Sequence, residues 1–280
     1  MNKKMRSIIF LTLLVVIGGC TSIPKQLKQE DAQNIKKLAI VTFLADNNLK
    51  VIDQTRIRQK TYGGFMFGAI GALLEAAVLE TEAQLAKRHS LGWGNPTDVK
   101  RELADYPIKK VFDDNFIKIF SNNYKNCEIL CPQYLDSIET SEYPMLKSSS
   151  GKKIRDYSTL DKKLNVDTVL EIDFMYGLAV YEFERSSAII SGTVSVINIR
   201  ENKLLMRDLI LSDKYYKDGH TVNEFKADGA QLYKKAFLEA VDAFGRLVAT
   251  DFGVATTSNL ESDIGSVQSL KNKSYWNSGN

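Results

Sequence analysis

The chain has 280 residues, 44% of them hydrophobic and 25% charged, with 37 Lys and Arg against 34 Asp and Glu. Three of the basic residues, Lys3, Lys4 and Arg6, lie in an N-terminal segment that we expect to be removed, and no acidic residue lies there. The remaining chain is formally neutral, so its charge gives no support for a nucleic-acid partner. Its length favours one compact domain with polar ends.

The first twenty residues have the organisation of a secretory signal. The basic start is followed by the apolar run Ile8–Ile17 and then by Gly18, Gly19 and Cys20. A charged start, a short apolar stretch and small residues before a cleavage point are typical of a signal peptide, here over residues 1–19. The apolar stretch is too short to cross a bilayer, which needs about 20 residues.

The sequence Ile17-Gly18-Gly19-Cys20 resembles the lipobox of bacterial lipoproteins. This resemblance implies that Cys20 becomes the first residue and carries acyl chains that anchor the protein. Thr21 after the cysteine implies sorting to the outer membrane, on its periplasmic face. Several acyl chains would make the anchoring stable, since each buried methylene contributes about 0.8 kcal/mol.

The chain after the anchor is polar and then becomes β-branched. Residues 20–36 are predicted to form an extended lipidated tether, which could reach roughly 55 Å. Lys37–Phe43 has the composition of a central strand, and Lys50–Ile57 that of a weaker one. The domain is predicted to cover residues 37–253.

Residues 62–88 are predicted to form a helix that begins in a glycine-rich apolar segment. Small residues recur at every fourth position and would form a smooth ridge, which lets another backbone approach closely. Three interpretations stay open: a core helix, a contact for a partner or a second copy, or a segment that dips into the membrane surface. The ridge and its apolar neighbours are Gly64, Gly68, Ala72, Ala76, Phe65, Phe67 and Ile70.

Two further helices are predicted at residues 97–104 and 108–123. Cys127 and Cys131 follow them, and they form an even pair once Cys20 is acylated. A local disulfide between Cys127 and Cys131 is the leading expectation for an oxidising compartment, with two free buried thiols as the alternative. We predict no metal site, because zinc would need two more ligands and the chain has only His89 and His220.

The clearest pattern begins at Leu170, where apolar residues alternate strictly up to Val180. Two more strands are predicted at residues 188–199 and 204–211, so that the three form an antiparallel meander with one buried face. A long amphipathic helix is predicted over residues 222–252. The serine- and asparagine-rich residues 254–280 are predicted to be a mobile polar tail.

This order of elements predicts an α+β fold with two layers, an antiparallel β-meander packed against amphipathic helices. The order over residues 37–252 loosely resembles the periplasmic lipoprotein folds of the Tol and curli-secretion systems. The resemblance rests on no diagnostic motif, and it implies neither a pore nor an oligomer for this chain.

The sequence contains no recognisable catalytic motif, neither a G-x-S-x-G elbow, nor H-E-x-x-H, nor a phosphate-binding loop. Glu171 and Asp173 would share a face of one strand and could act as an acid/base pair. We favour the interpretation that they lie on the wet face of a half-buried sheet. His89 and His220 are expected at the surface.

The sequence therefore favours a lipid-anchored periplasmic lipoprotein without enzymatic activity and without a cofactor. Its partners would be the membrane, through Cys20, and another envelope protein or a second copy, as in an accessory subunit of a transport or assembly complex. The alternative is an envelope hydrolase that acts on cell-wall or glycan material through carboxylates such as Glu171 and Asp173.

Overall fold

A computed structural model describes residues 23–45, 47, 49–53, 94–125, 127–131, 143–180, 186–214 and 220–253. Signal residues, Cys20, the glycine-rich helix and the polar tail, all predicted above, lie outside these ranges. The described elements, in chain order, are α1 Gln29–Asn34, β1 Lys37–Leu44, β2 Lys50–Asp53, α2 Pro96–Glu102, α3 Ile108–Asn123, β3 Glu128–Leu130, β4 Met145–Lys147, β5 Lys153–Arg155, α4 Ser158–Leu164, β6 Thr168–Val180, β7 Ser186–Asn198, β8 Lys203–Lys214 and α5 Val222–Asp251.

The fold is α+β, as predicted, but its main sheet is mixed and not purely antiparallel. The strand order is β3-β1-β6-β7-β8, and β2 also pairs with β6. Strands β6, β7 and β8 are antiparallel neighbours, whereas β1 and β2 both run parallel to β6. The prediction missed this because β1 and β6 are joined by a long connection containing helices, and such crossovers allow parallel pairing.

Strands β1 and β2 lie one after the other along the same edge of β6. Leu38 to Leu44 pair with Thr168 to Phe174, and Lys50 to Asp53 pair with Gly177 to Val180. The hydroxyl of Tyr176 donates a hydrogen bond to the carbonyl of Asn47 at 2.8 Å, in the link between the two strands. This link forms one wall of the cavity described below.

One face of the sheet packs against α3 and α5, while α2 packs against α5, and we call it the helix face. Every fourth residue of α3 carries an aromatic ring that is fully or almost fully buried, as the apolar spacing predicted. The ring of Phe112 stacks on that of Phe174 in β6, with 3.8 Å between centroids. The α3 series is Phe112, Phe116 and Phe120, continued by Tyr124 just after the helix.

The opposite face of the sheet is also covered, and we call it the hairpin face. The β4–β5 hairpin and α4 place Leu146, Ile154 and Leu160 on a second apolar core that includes Val41 and Val169. The prediction of a single buried face was therefore wrong. Short elements without a clear apolar period cover the face that the alternation suggested was wet.

Helix α5 begins with a complete capping box. The Thr221 hydroxyl accepts a hydrogen bond from the Glu224 N–H at 3.1 Å, and the Glu224 carboxylate accepts one from the Thr221 N–H at 2.7 Å. The predicted continuous helix is interrupted, because Asp228, Gly229 and Ala230 adopt left-handed backbone angles. The interruption separates a short first segment containing Phe225 from the long segment that begins near Gln231.

The N-terminal residues correct the prediction of an extended tether. Residues 29–34 form α1, and Leu27 and Ile35 are buried in the core of the helix face. The Leu27 N–H donates to the Asp251 carbonyl at 2.8 Å, at the end of α5. Leu27, Ala32 and Ile35 pack in the core of the helix face, and Ile23 packs against the core of the hairpin face, so the chain is docked on the domain from Ile23 onwards.

Candidate functional site

A cavity of about 730 Å³ opens on the helix face, beside the carboxyl end of β1. Its walls come from β1, β6, the link at Asn47, helix α2 and the first turns of α3 with Pro107 before them. Its lining residues are Leu44, Asn47, Thr97, Lys100, Arg101, Leu103, Ala104, Pro107, Ile108, Lys109, Lys110, Asp113 and Tyr176.

Local sequence signals fix the two helices that form the outer wall. Asn95 caps α2 by accepting a hydrogen bond from the Thr97 N–H at 3.0 Å, and Pro96 takes the first helical position, where no donor is needed. Pro107 precedes α3. Five residues connect the two helices, and three of them, Leu103, Ala104 and Pro107, line the cavity.

The cavity combines an apolar floor with a cationic rim. Leu103 and Ile108 are buried and lie on the floor with Leu44 and Tyr176. The exposed rim carries Lys100, Arg101 and Lys110. Arg101 pairs with Asp98 at 3.0 Å and Lys110 with Asp114 at 2.7 Å, while Lys100 forms no ion pair with any residue that the structure describes.

A buried carboxylate closes the inner end of the cavity. Asp113 is 3% exposed, accepts a hydrogen bond from the Thr42 hydroxyl, and pairs with the Lys109 ammonium at 2.6 Å. Lys109 also donates to the Thr42 oxygen at 3.0 Å. Burial raises the pKa of Asp113, and the bonds from Lys109 and Thr42 oppose that shift.

Sequence reasoning missed this trio of Thr42, Lys109 and Asp113. The i, i+4 spacing of Lys109 and Asp113 on a predicted helix was a signal for an ion pair. The contact with Thr42 depends on how α3 crosses β1, which no local pattern contains.

The carboxylates predicted as a possible acid/base pair lie on the hairpin face, away from the cavity. Arg155 binds both oxygens of Asp173 at 2.8 Å and lies 3.1 Å from Glu171. The Tyr157 hydroxyl donates to Glu171 at 2.6 Å, and the Arg155 guanidinium lies 4.0 Å from the centre of the Phe43 ring. Glu171 is 3% exposed, so its expected position on a wet face was wrong.

The ionisation of this cluster follows from burial and pairing. Burial acts to lower the pKa of Arg155, but the hydrogen bond with Asp173 and the charge of Glu171 outweigh burial, so the pKa is raised above its usual value. Burial and the neighbouring Glu171 raise the pKa of Tyr157 well above its usual range. Arg155 therefore stays charged, and Glu171 and Asp173 are engaged in ion pairs.

The predicted disulfide is not formed. Cys127 and Cys131 are both free thiols at the two ends of strand β3. Four residue steps of extended chain separate them by about 13 Å, whereas a disulfide needs Cα atoms about 4.4–6.8 Å apart. Burial raises the pKa of each thiol to about 11, so neither is a reactive thiolate at neutral pH.

The other predicted site residues fall as follows. His220 lies at the start of α5, where its Nδ1 is 3.6 Å from Glu224 and its ring contacts Phe225. Cys20, His89 and the ridge of Gly64, Gly68, Ala72 and Ala76, with Phe65, Phe67 and Ile70, lie outside the described residues.

Two further features of the described residues concern membranes and metals. No described helix is long and apolar enough to cross a membrane. Within the described ranges, no three His, Cys, Asp or Glu side chains are grouped so that they could hold a metal ion.

The chain matches no protein-family model and no curated protein. Among solved structures, it is similar to a hypothetical protein from Chlamydia trachomatis, with a TM-score of 0.31 and 8% identity over 77% of this chain and 99% of that one. It is also similar to a protein named as a neuraminyllactose-binding hemagglutinin homolog from Helicobacter pylori, with a TM-score of 0.27 and 8% identity over 87% and 94%. At TM-scores this low, neither protein defines the fold or the function of this chain.

Proposed function

We propose that the protein is a lipid-anchored periplasmic lipoprotein that binds another envelope protein, as a non-enzymatic accessory subunit of a transport or assembly complex. The lipobox resemblance at Cys20 supports the anchor on the periplasmic face of the outer membrane. The composition of the cavity supports the binding role.

The cavity suits a partner segment that presents apolar side chains flanked by carboxylates. The floor offers Leu44, Leu103, Ile108 and Tyr176 to apolar groups, and the rim offers Lys100 and other cations to acidic ones. An apolar pocket with a few charged groups is the usual form of a binding site. Charged rim residues mainly select the partner and speed its association.

The alternative, an envelope hydrolase, has less support from the geometry. Hydrolysis of glycosides uses two carboxyl groups that flank the scissile bond. The described lining of the cavity contains a single carboxylate, Asp113, which Thr42 and Lys109 engage. Glu171 and Asp173 lie on the other face of the sheet, paired with Arg155.

The anchor is tested by mass spectrometry and fractionation of the full chain expressed in bacteria. We expect the mature protein to begin at an acylated Cys20 and to sediment with outer membranes. The Cys20→Ala variant should remain unprocessed and lose the acyl chains. Normal processing and membrane association of this variant would contradict the anchor.

The binding role is tested by crosslinking in intact cells from a photoreactive amino acid that replaces Ala104, which is exposed beside the cavity. We expect a discrete protein adduct that is lost when Lys100→Glu and Arg101→Glu are combined. The matched control combines Lys118→Glu and Lys162→Glu, exposed lysines that lie outside the cavity lining and give the same charge change. An adduct of twice the chain mass would identify a second copy as the partner. Equal loss in both double variants would contradict recognition by the cavity.

A further inference from the structure

The route of the N-terminal residues places the anchor beside a particular surface. Ile23 packs against the second apolar core, on the hairpin face. The Pro24 carbonyl accepts a hydrogen bond from the Arg207 N–H of β8 at 3.1 Å. The chain is therefore fixed to the domain at residues 23 and 24, on the hairpin side of the sheet edge.

Only three residue steps separate Cys20 from Ile23. Three steps of fully extended chain span at most about 11 Å. If Cys20 is acylated, as the proposed function states, the hairpin side of the domain is held next to the bilayer. An extended tether of residues 20–36 would have left the domain free to stand far away from it.

The β4–β5 hairpin lies directly beside this exit point. The Arg207 guanidinium donates to the Lys153 carbonyl at 3.4 Å. Arg207 therefore contacts both β5, through its side chain, and Pro24, through its backbone N–H. In the antiparallel register of the hairpin, Lys153 lies opposite Lys147, and Arg155 lies opposite Met145.

The outer side of this hairpin is both cationic and apolar. Met145 is 59% exposed, the most exposed large apolar side chain of the described residues. Exposed lysines lie on the same hairpin and beside Pro24 next to it, and none of them forms an ion pair with a described residue. We call Met145 and these lysines the hairpin surface; the lysines are Lys25, Lys147, Lys152 and Lys153. Two carboxylates lie nearby: exposed Glu201, in the adjacent turn that hydrogen-bonds to the hairpin through Asn202, and half-buried Asp156, whose N–H donates to the Pro144 carbonyl. The four lysines outnumber them.

We infer that the hairpin surface lies on a bilayer that contains anionic phospholipid. Lysines with a protruding apolar side chain are typical of surfaces that rest at a membrane interface, where the ammonium groups meet the headgroups. The short link to the anchor keeps this surface close to lipid, so that weak attraction is enough to orient the domain. The inference rests on the proposed lipid anchor and adds an orientation to it.

This orientation has a consequence for the cavity. The cavity opens on the helix face, and the hairpin surface belongs to the opposite face of the same sheet. A domain that rests on its hairpin surface directs the cavity away from the membrane. The proposed partner site is then accessible from the periplasm.

The test uses the full acylated protein in vesicles of phosphatidylethanolamine and phosphatidylglycerol. A solvent-sensitive fluorescent amino acid replaces Met145. In a matched control it replaces Leu238 on helix α5, the other large apolar side chain that is exposed among the described residues. We expect the emission at position 145 to shift to the blue and to be quenched by lipids labelled near the headgroup. The probe at position 238 should show neither change.

A second variant tests the charges. Lys147→Gln, Lys152→Gln and Lys153→Gln together should reduce the quenching at position 145. Salt at about 1 M should do the same, because it reduces the Debye screening length to about 3 Å. The matched control removes the same number of charges on or next to helices α3 and α5, through Lys118→Gln, Lys125→Gln and Lys235→Gln, and should keep the quenching. Circular dichroism of each variant confirms that the fold is intact.

The outcomes separate this inference from the anchor. Equal signals at positions 145 and 238 in a protein whose Cys20 is acylated by mass spectrometry would overturn the orientation and leave the anchor intact. A chain that is never acylated would overturn the proposed anchor itself. Concentration-dependent burial of the position 145 probe in detergent, without lipid, would show that a second copy covers the surface, and this too would overturn the inference.

Discussion

The two faces of the sheet are buried in different ways. The helix face is covered by two amphipathic helices and filled with stacked aromatic rings, such as Phe112 on Phe174. The hairpin face is covered by short elements and retains an ion cluster in which Arg155 pairs with the buried Glu171 and the partly exposed Asp173. The first face is stabilised mainly by apolar burial, and the second depends on the pairing of charges.

The difference shows that a charged residue on a strand with alternating polarity can be buried. Glu171 occupies a position that alternation assigns to water, yet it is buried because Arg155 and Tyr157 satisfy its oxygens. Bonded charges allow a second layer to cover a face that is not uniformly apolar. Stability should therefore respond to size on the helix face and to charge removal on the hairpin face.

The largest expected effect tests the helix face. Phe112→Ala removes a fully buried ring that contacts Phe116, Phe174 and Phe244, so the free energy of unfolding should fall by about 3–5 kcal/mol. Urea unfolding measures the change. The exposed Lys118→Ala on the same helix is the control and should change stability by less than about 0.5 kcal/mol. Similar values for both would mean that α3 does not pack as described.

The next effect tests the hairpin face. Arg155→Met leaves Glu171 buried without its cation, and we expect a loss of about 3 kcal/mol in the free energy of unfolding. Arg200→Met is the matched control, because the Arg200–Asp161 pair at 3.4 Å is half exposed and should contribute less than about 1 kcal/mol. Equal losses in urea unfolding would show that the Arg155 cluster is solvated in solution.

These two regions also show what the sequence could and could not predict. The sequence predicted the bounds of six elements to within a few residues, because each carries an apolar pattern: β1, β6, β7, β8, α2 and α3. The β4–β5 hairpin and α4 were missed, since three-residue strands and a seven-residue helix are too short to show one. Parallel pairing of β1 with β6 depends on a long-range crossover, and docking of residues 23–36 depends on a surface that only the folded domain provides.

The candidate cavity was beyond prediction for a related reason. Its rim residues belong to predicted helices, but the cavity exists only where α2, α3 and the link at Asn47 come together in the fold. The predicted disulfide was wrong because a strand, and not a turn, lies between Cys127 and Cys131. Local composition identified the residues, and tertiary packing determined their surroundings.

Two adjacent lysines of α3 sharpen the comparison within the helix face. Lys109 pairs with the buried Asp113, whereas Lys110 pairs with the exposed Asp114 at the same spacing. Lys109→Met should cost about 1–2 kcal/mol of unfolding free energy, since it removes a partner of a buried carboxylate. Lys110→Met should cost less than about 0.5 kcal/mol. Equal costs in urea unfolding would show that burial does not distinguish the two pairs.

A smaller effect is expected at the interruption of α5. Gly229 has a φ of +66° and no heavy atom within 4 Å of an added Cβ, so Gly229→Ala introduces backbone strain without a clash. We expect a loss of about 1 kcal/mol in the free energy of unfolding. Gly229→Asn should cost less, because Asn tolerates left-handed angles better. A gain in stability with alanine would indicate that α5 runs continuously across the helix face.

The smallest effect is a pH dependence that arises from Asp113, the buried carboxylate of the helix-face cavity. Burial raises the pKa of Asp113 above its unfolded value, which is about 3.9. The folded protein then binds the proton more readily than the unfolded chain does, so this carboxyl contributes more to stability as the pH falls. The difference in unfolding free energy between wild type and Asp113→Asn should shift in favour of wild type as the pH is lowered from 7 towards 4. The Lys118→Gln variant, which changes an exposed side chain on the same helix, is the control for the general effect of pH on the fold. A shift in the opposite direction would mean that the bonds from Lys109 and Thr42 lower the pKa of Asp113 by more than burial raises it. The partners of the carboxylate, and not its burial, would then determine its ionisation on the helix face as well.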